Sequence, residues 1–288
     1  MADKITSKAG NRIDRLFANR KDPDRIMSIF VTAGFPEIET SDQLITALSD
    51  AGTDLIELGM PFSDPLADGP TIQYSSQVAI ENGTDLDTTF EIVGQIRENS
   101  DVPLVLMGYI NPILHYGIER FVENAVKSGV DGLILPDVPP EEADELKAAA
   151  EENSLHLIYL VAPNTSDERM QFIDSQSSGF VYCVSVTGVT GARDGESVQQ
   201  SVKRFIDRVK QNITRNPVLI GFGITTHEDA VQISERVEGF VVGSAVINQI
   251  RKNYPNSDWI MKTADFVRSL KSGGSKNTIK TLLYTLSS

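Results

Sequence analysis

Eight short apolar runs recur along this chain, and their recurrence constrains the fold more than any other feature. They are IMSIFV from Ile26, DLIEL from Asp54, PLVLM from Pro103, GLILP from Gly132, LHLIYLVA from Leu155, FVYCVS from Phe180, PVLIGFGI from Pro217 and GFVVGSAV from Gly239. Most are near-continuous rather than alternating, the pattern of parallel strands covered on both faces. Most start roughly 20 to 40 residues apart, the length of a strand with its crossover helix. Segments of 3.6-residue period lie between them. TSDQLITALSDAG, with Leu44, Ile45 and Leu48, and GIERFVENAVKSG both stop at a glycine. The gap after the second run is longer because it holds two helical segments, TIQYSSQVAIENG and LDTTFEIVGQIREN.

No Gly/Ser-rich or Pro-rich linker interrupts the series. Eight βα units in one uninterrupted stretch predict an α/β fold, a (β/α)8 barrel; a doubly wound open sheet is the alternative. The expected division is one domain over residues 1–288, with the barrel at about 26–270. Ile13, Leu16 and Phe17 fall at i, i+3 and i+4, which predicts an extra amphipathic N-terminal helix docked on the barrel. A last helix is expected around Asp258–Leu270, and a flexible tail over 271–288.

Composition removes several function classes. With 40 acidic and 26 basic residues the net charge is −14, which repels nucleic acid and anionic membrane but not a small anion in a local site. No apolar run approaches the roughly 20 residues that span a bilayer. The N-terminus has no signal-peptide core, so a cytoplasmic location is expected. The single cysteine, Cys183, reads as a small residue packed in a strand. His115, His156 and His227 share no ligand spacing, and no metal is expected.

Function in a barrel gathers at the carboxyl ends of its strands. Three glycine-rich stretches follow late runs: TGVTGARDG, GFGI and VGSAV. Glycines let backbone N–H groups approach a ligand, and a helix starting at Ser244 would aim its first amides at the same place. Taken together they suit a phosphate; singly they are tight turns. The loop Ser185–Ser197 is long enough to be a lid. The stretch ELGMPFSDPLADGP carries the other half. Glu57 closes the second strand and points into the mouth, where desolvation raises its pKa. Asp68, in the following loop, meets water and stays ionised. The plainer alternatives are a structural hydrogen bond for Glu57 and an Asx turn or helix cap for Asp68. Asp137 could serve the site or cap a helix beginning at Pro139–Pro140. Of Tyr182 and Cys183, adjacent in one strand, one faces the barrel interior.

From about Arg12 to Leu270 the chain resembles the tryptophan synthase α-subunit family. The resemblance is carried by ELGMPFSDPLADGPTIQ, then FVTAGFP, LMGYINPI, LILPDVPPEE, VSVTGVTGARDG, GFGI and VVGSAVI. It implies retro-aldol cleavage of indole-3-glycerol phosphate to indole and glyceraldehyde 3-phosphate. It implies Glu57 as the acid/base at indole C3 and the side-chain hydroxyl, and Asp68 at the indole N–H. Phe30, Ile72, Met107 and Tyr182 would form the indole slot. Backbone around Gly191, Gly223, Gly243 and Ser244 would hold phosphate, and Thr190 in the lid would meet Asp68. It implies a β subunit carrying pyridoxal phosphate in an αββα heterotetramer, met through Pro61 and Asp64, and no cofactor in this chain. VSVT departs from the SRxGVTG of many members, which puts the lid's hinge and phosphate electrostatics in question. Two rivals are a sugar-phosphate isomerase or epimerase barrel, which has no use for ELGMPFSDPLADGP, and a non-catalytic activating subunit.

Overall fold

The computed structural model describes residues 10–21, 23–184 and 198–272. Its strands are β1 (Ile26–Thr32), β2 (Leu55–Gly59), β3 (Leu104–Met107), β4 (Gly132–Ile134), β5 (His156–Ile158), β6 (Leu160–Val161), β7 (Val181–Val184), β8 (Val218–Gly221) and β9 (Gly239–Val242). All pair in parallel, in the order β5-β4-β3-β2-β1-β9-β8-β7-β6. The fifth apolar run supplies both edges of that sheet. β5 pairs with β4 and β6 with β7, and only Tyr159 separates them. The Tyr159 carbonyl accepts from the Tyr182 amide at 3.0 Å. One run thus hands its pairing from one neighbour to the other, and the sheet closes into a barrel of eight strand positions.

The helices are α1 (Arg12–Asn19), α2 (Ser41–Asp50), α3 (Pro70–Glu81), α4 (Leu86–Asn99), α5 (Ile110–Tyr116) and α6 (Ile118–Ser128). They continue with α7 (Asp144–Glu152), α8 (Asp167–Gln176), α9 (Val198–Asn212), α10 (His227–Ser234), α11 (Ser244–Asn253) and α12 (Trp259–Ser272). α3 and α4 are the two segments expected after β2, and α12 ends within two residues of its expected end. α6 stops because Gly129 takes φ 104°, a left-handed turn that a side chain would strain.

Alternate strand residues divide between two cores, which is why the runs are apolar throughout. Met27, Ile29, Ile56, Leu58, Leu104, Leu106, Ile220 and Val242 face outward into the large core under the helices. Ile26, Leu55, Val105, Ile134, Ile158, Tyr182, Leu219 and Val241 fill the interior. Cys183 faces outward and is fully buried, and burial pushes its thiol up. Tyr182 is therefore the inward member of its pair.

The amino end of the barrel is stoppered. Ile13 of α1 is fully buried in the interior core, with Leu16 and Phe17 packed beside it and the Phe17 ring 6.0 Å from that of Phe180. Asn11 caps α1 by accepting from the Ile13 amide at 2.9 Å, and its amide donates to the carbonyls of Asp131 and Ser154. Buried Asp131 takes Arg12 at 3.0 Å, Arg97 at 2.9 Å and the Leu104 amide at 2.9 Å. At the same end Lys271 of α12 binds Asp54, which accepts from the Met27 amide.

Candidate active site

Among the described residues the carboxyl end of the barrel is open, and a cleft lies there with about 310 Å³ of space that includes open solvent. Phe30, Thr32, Gly59, Met60, Asp68 and Ile72 line one side; Met107, Gly108, Tyr109 and Pro136 continue it. Four of the expected residues (Phe30, Ile72, Met107 and Asp68) therefore meet in one place. Two glycines make room for Phe30. A Cβ on Gly59 would stand 2.6 Å from Phe30 Cζ, and one on Gly243 would stand 3.3 Å from Phe30 Cβ.

Glu57 lies one layer below the cleft. It precedes Gly59 by two residues and follows Leu55 by two, so its side chain shares their inward face. It is fully buried. Ser28 Oγ, on the adjacent β1, donates to Oε1 at 2.7 Å, while Oε2 is buried with no hydrogen-bond partner among the described residues. Burial outweighs the Ser28 bond and lifts the carboxyl from 4.5 to about 8. Glu57 is thus a protonated acid at neutral pH. The structural hydrogen bond does exist, and it leaves half of the carboxyl unused. Tyr182, on the far side of the interior, is raised well above its ordinary value by burial and then by the charge of Glu57, and stays neutral.

Asp68 meets less water than expected. It is half-buried, and burial raises its carboxyl above the usual range, with a hydrogen bond from the Tyr109 hydroxyl pulling the other way. It caps nothing with its side chain, since Gly69 is the N-cap of α3 and the Asp68 carbonyl accepts from Gln73. Tyr109 escaped the sequence reading. Its hydroxyl also accepts from the Ala67 amide at 3.0 Å, and its ring lies 5.4 Å from that of Phe62. Ser76 of α3 holds the same loop, accepting from the Phe62 amide at 2.8 Å and donating to its carbonyl at 3.1 Å. Thr32 and Ser75, both buried, share a 2.7 Å hydroxyl contact.

Asp137 requires a correction. It accepts from the Ile110 amide at 3.2 and 3.1 Å, capping α5 in the preceding βα unit rather than a helix at Pro139–Pro140. Gly223, at φ 60°, follows β8, and Gly243–Ser244 follow the neighbouring β9, so the two turns sit over adjacent strand ends. Gly243 is the N-cap of α11. Asp64 is exposed and Pro61 half-buried, and neither lines the cleft. Thr190, Gly191 and the rest of 185–197 lie outside the described residues, as does the tail beyond 272.

The family model described as tryptophan synthase alpha chain matches residues 17–273. The tryptophan synthase alpha chain of Thermoanaerobacter sp. (strain X514) is 46% identical over 262 residues, 91% of this chain and 98% of that relative. The crystal structure of the Legionella pneumophila tryptophan synthase alpha chain superposes with a TM-score of 0.82 at 36% identity, covering 91% of this chain and 97% of that one. A chain of the tryptophan synthase complex from Pyrococcus furiosus gives a TM-score of 0.77 at 37% identity, covering 86% and 98%.

Proposed function

We propose how the mouth divides its chemistry, from one premise: the chain belongs to the tryptophan synthase alpha chain family. It is a lyase of tryptophan biosynthesis that cleaves indole-3-glycerol phosphate by a retro-aldol reaction to indole and glyceraldehyde 3-phosphate. Glu57, protonated, delivers its proton to indole C3, and Asp68 receives the hydrogen bond of the indole N–H and stabilises the cationic ring. Glu57, now ionised, takes the proton of the glycerol hydroxyl. The carbon–carbon bond breaks, its electron pair returns to the indole ring, and the former carbinol carbon leaves as an aldehyde.

The observation that carries this reading is Glu57 itself: a fully buried carboxyl raised to about 8, one oxygen unpartnered among the described residues, a layer beneath a cleft lined by Asp68. The apolar walls of Phe30, Ile72 and Met107 suit a flat indole, with Tyr182 beneath. Backbone at Gly223 and Gly243 and the first turn of α11 at Ser244 would take the phosphate. Gly191 would join them and Thr190 would close on Asp68. We assign Pro61 and Asp64 to the face that meets a β subunit. Leu66, 95% exposed between Asp64 and Asp68, supports that face as one awaiting cover. Pyridoxal phosphate then belongs to the partner in an αββα heterotetramer, and the assembly works in the cytoplasm.

The test is indole release from indole-3-glycerol phosphate by wild type and Glu57→Gln, each with and without a β subunit. Indole from the wild type and none from the variant is the expected result. If neither releases indole while both stimulate the partner's indole–serine condensation, the chain is an activator and the catalytic assignment fails.

A further inference from the structure

A serine in the middle of IMSIFV, fully buried in a seven-residue strand with every position buried, stands out against its neighbours. A hydroxyl taken from water without a purpose is destabilising. Ser28 follows Ile26 by two and so faces the barrel interior, in register with Leu55 and Val241, both apolar. Its hydroxyl donates to Glu57 Oε1 at 2.7 Å. We infer that Ser28 is a positioning residue for the cleavage: its hydroxyl fixes the Glu57 carboxyl in one orientation, with Oε1 anchored and Oε2 left to exchange protons with the substrate. The inference rests on Glu57 being the proton carrier.

The geometry supports each part. The terminal torsion of a glutamate is broad and nearly two-fold, so packing alone leaves its oxygens interchangeable. One donor on a neighbouring rigid strand makes them different. Among the described residues, the buried Oε2 has no partner that would compete for its proton. The Ser28 bond is compatible with both protonation states, since the proton resides on Oε2, and it strengthens when the carboxylate forms. The carboxyl can therefore give a proton at indole C3 and take one from the hydroxyl without turning. Among the described residues, Tyr182 also faces this pair from the interior and stays neutral, while Asp68 stands in the loop above. Cys183 faces away.

The experiment compares wild type, Ser28→Ala, Ser28→Thr and Glu57→Gln. One readout is indole release as a function of pH. The other is an infrared pH titration of the buried carboxyl band, assigned by its loss in Glu57→Gln. Removing a donor to the charged form raises the Glu57 pKa, so in Ser28→Ala the band midpoint should move up by about 1 pH unit or more. kcat should fall roughly tenfold with KM within about twofold, because orientation acts on the chemical step. Ser28→Thr, which restores a hydroxyl, should return both toward wild type. Should the alanine variant fail to fold, Ser28→Cys keeps the size, weakens the donor and gives the same two readouts. A folded Ser28→Ala with unchanged midpoint and kcat overturns the inference alone, provided Glu57→Gln is inactive. Wild-type indole release by Glu57→Gln overturns the proton-carrier reading and this inference with it.

Discussion

Glu57→Gln should change how stability depends on pH, and the size of that change follows from burial. The folded carboxyl holds its proton up to about 8, whereas the unfolded chain releases it near 4.5. Below 4.5 both states are protonated and pH has no purchase. Between the two values the unfolded state alone is ionised, so rising pH favours unfolding by about 1.4 kcal/mol per pH unit. The stability that protonation preserves is thus complete in acid and lost as pH climbs through about 8, a span of 3.5 pH units worth about 5 kcal/mol. Between pH 5.5 and 8.5 the loss is about 3 kcal/mol. Glutamine has the shape but no proton to lose. It leaves an amide N–H buried without a partner, a penalty that is the same at every pH. Hence the slope, not the offset, carries the information. In thermal unfolding at fixed ionic strength, the variant's Tm should gain on the wild type by about 6 °C from pH 5.5 to 8.5, at roughly 2 °C per kcal/mol for a chain of this size. All other groups are common to both proteins and cancel in the difference. Parallel Tm–pH curves would mean that Glu57 is ionised in the folded state near neutrality, and the proposed proton delivery would fall with that assignment.

Three further outcomes are expected. Gly59→Ala pushes a methyl into the Phe30 ring, 2.6 Å from Cζ, and should cost about 1–3 kcal/mol while raising KM for indole-3-glycerol phosphate; an unchanged KM would place the substrate elsewhere. Ile13→Ala opens a cavity in the amino-end stopper and should lower stability by about 2–5 kcal/mol with kcat intact, measured by denaturation and by turnover on one preparation. Tyr109→Phe removes the hydrogen bond that holds the Asp68 carboxyl down, so that carboxyl moves further up and the acidic limb of the pH–rate profile should shift to higher pH; a limb that stays put would separate Asp68 from catalysis.

The barrel was legible because its signal is local and repeated. Each run is apolar on both faces for a reason visible within five residues, and each crossover helix carries its own period. What escaped was whatever depends on register or on contact between distant loops. IMSIFV shows a serine and DLIEL a glutamate, but only the pairing of β1 with β2 brings Ser28 beside Glu57. Asp68 looked solvated because the loop around it is polar. The tyrosine that shields it comes from the next βα unit. Asp137 read as either a site residue or a cap for the helix just after it, yet the amide it serves belongs to α5, two helices before it in sequence. The break at Tyr159 left no trace in LHLIYLVA, since the hand-over of pairing follows from closing the sheet and not from composition.

The stopper at the amino end has a consequence for traffic. With Ile13, Leu16 and Phe17 filling that end, the interior is closed on its amino side among the described residues. On the proposed assignment, substrate and both products pass on the side where Asp68 and Phe30 stand. Entry and exit then compete for the same passage, and anything that settles over it, whether a segment of this chain or a neighbouring subunit, governs both at once.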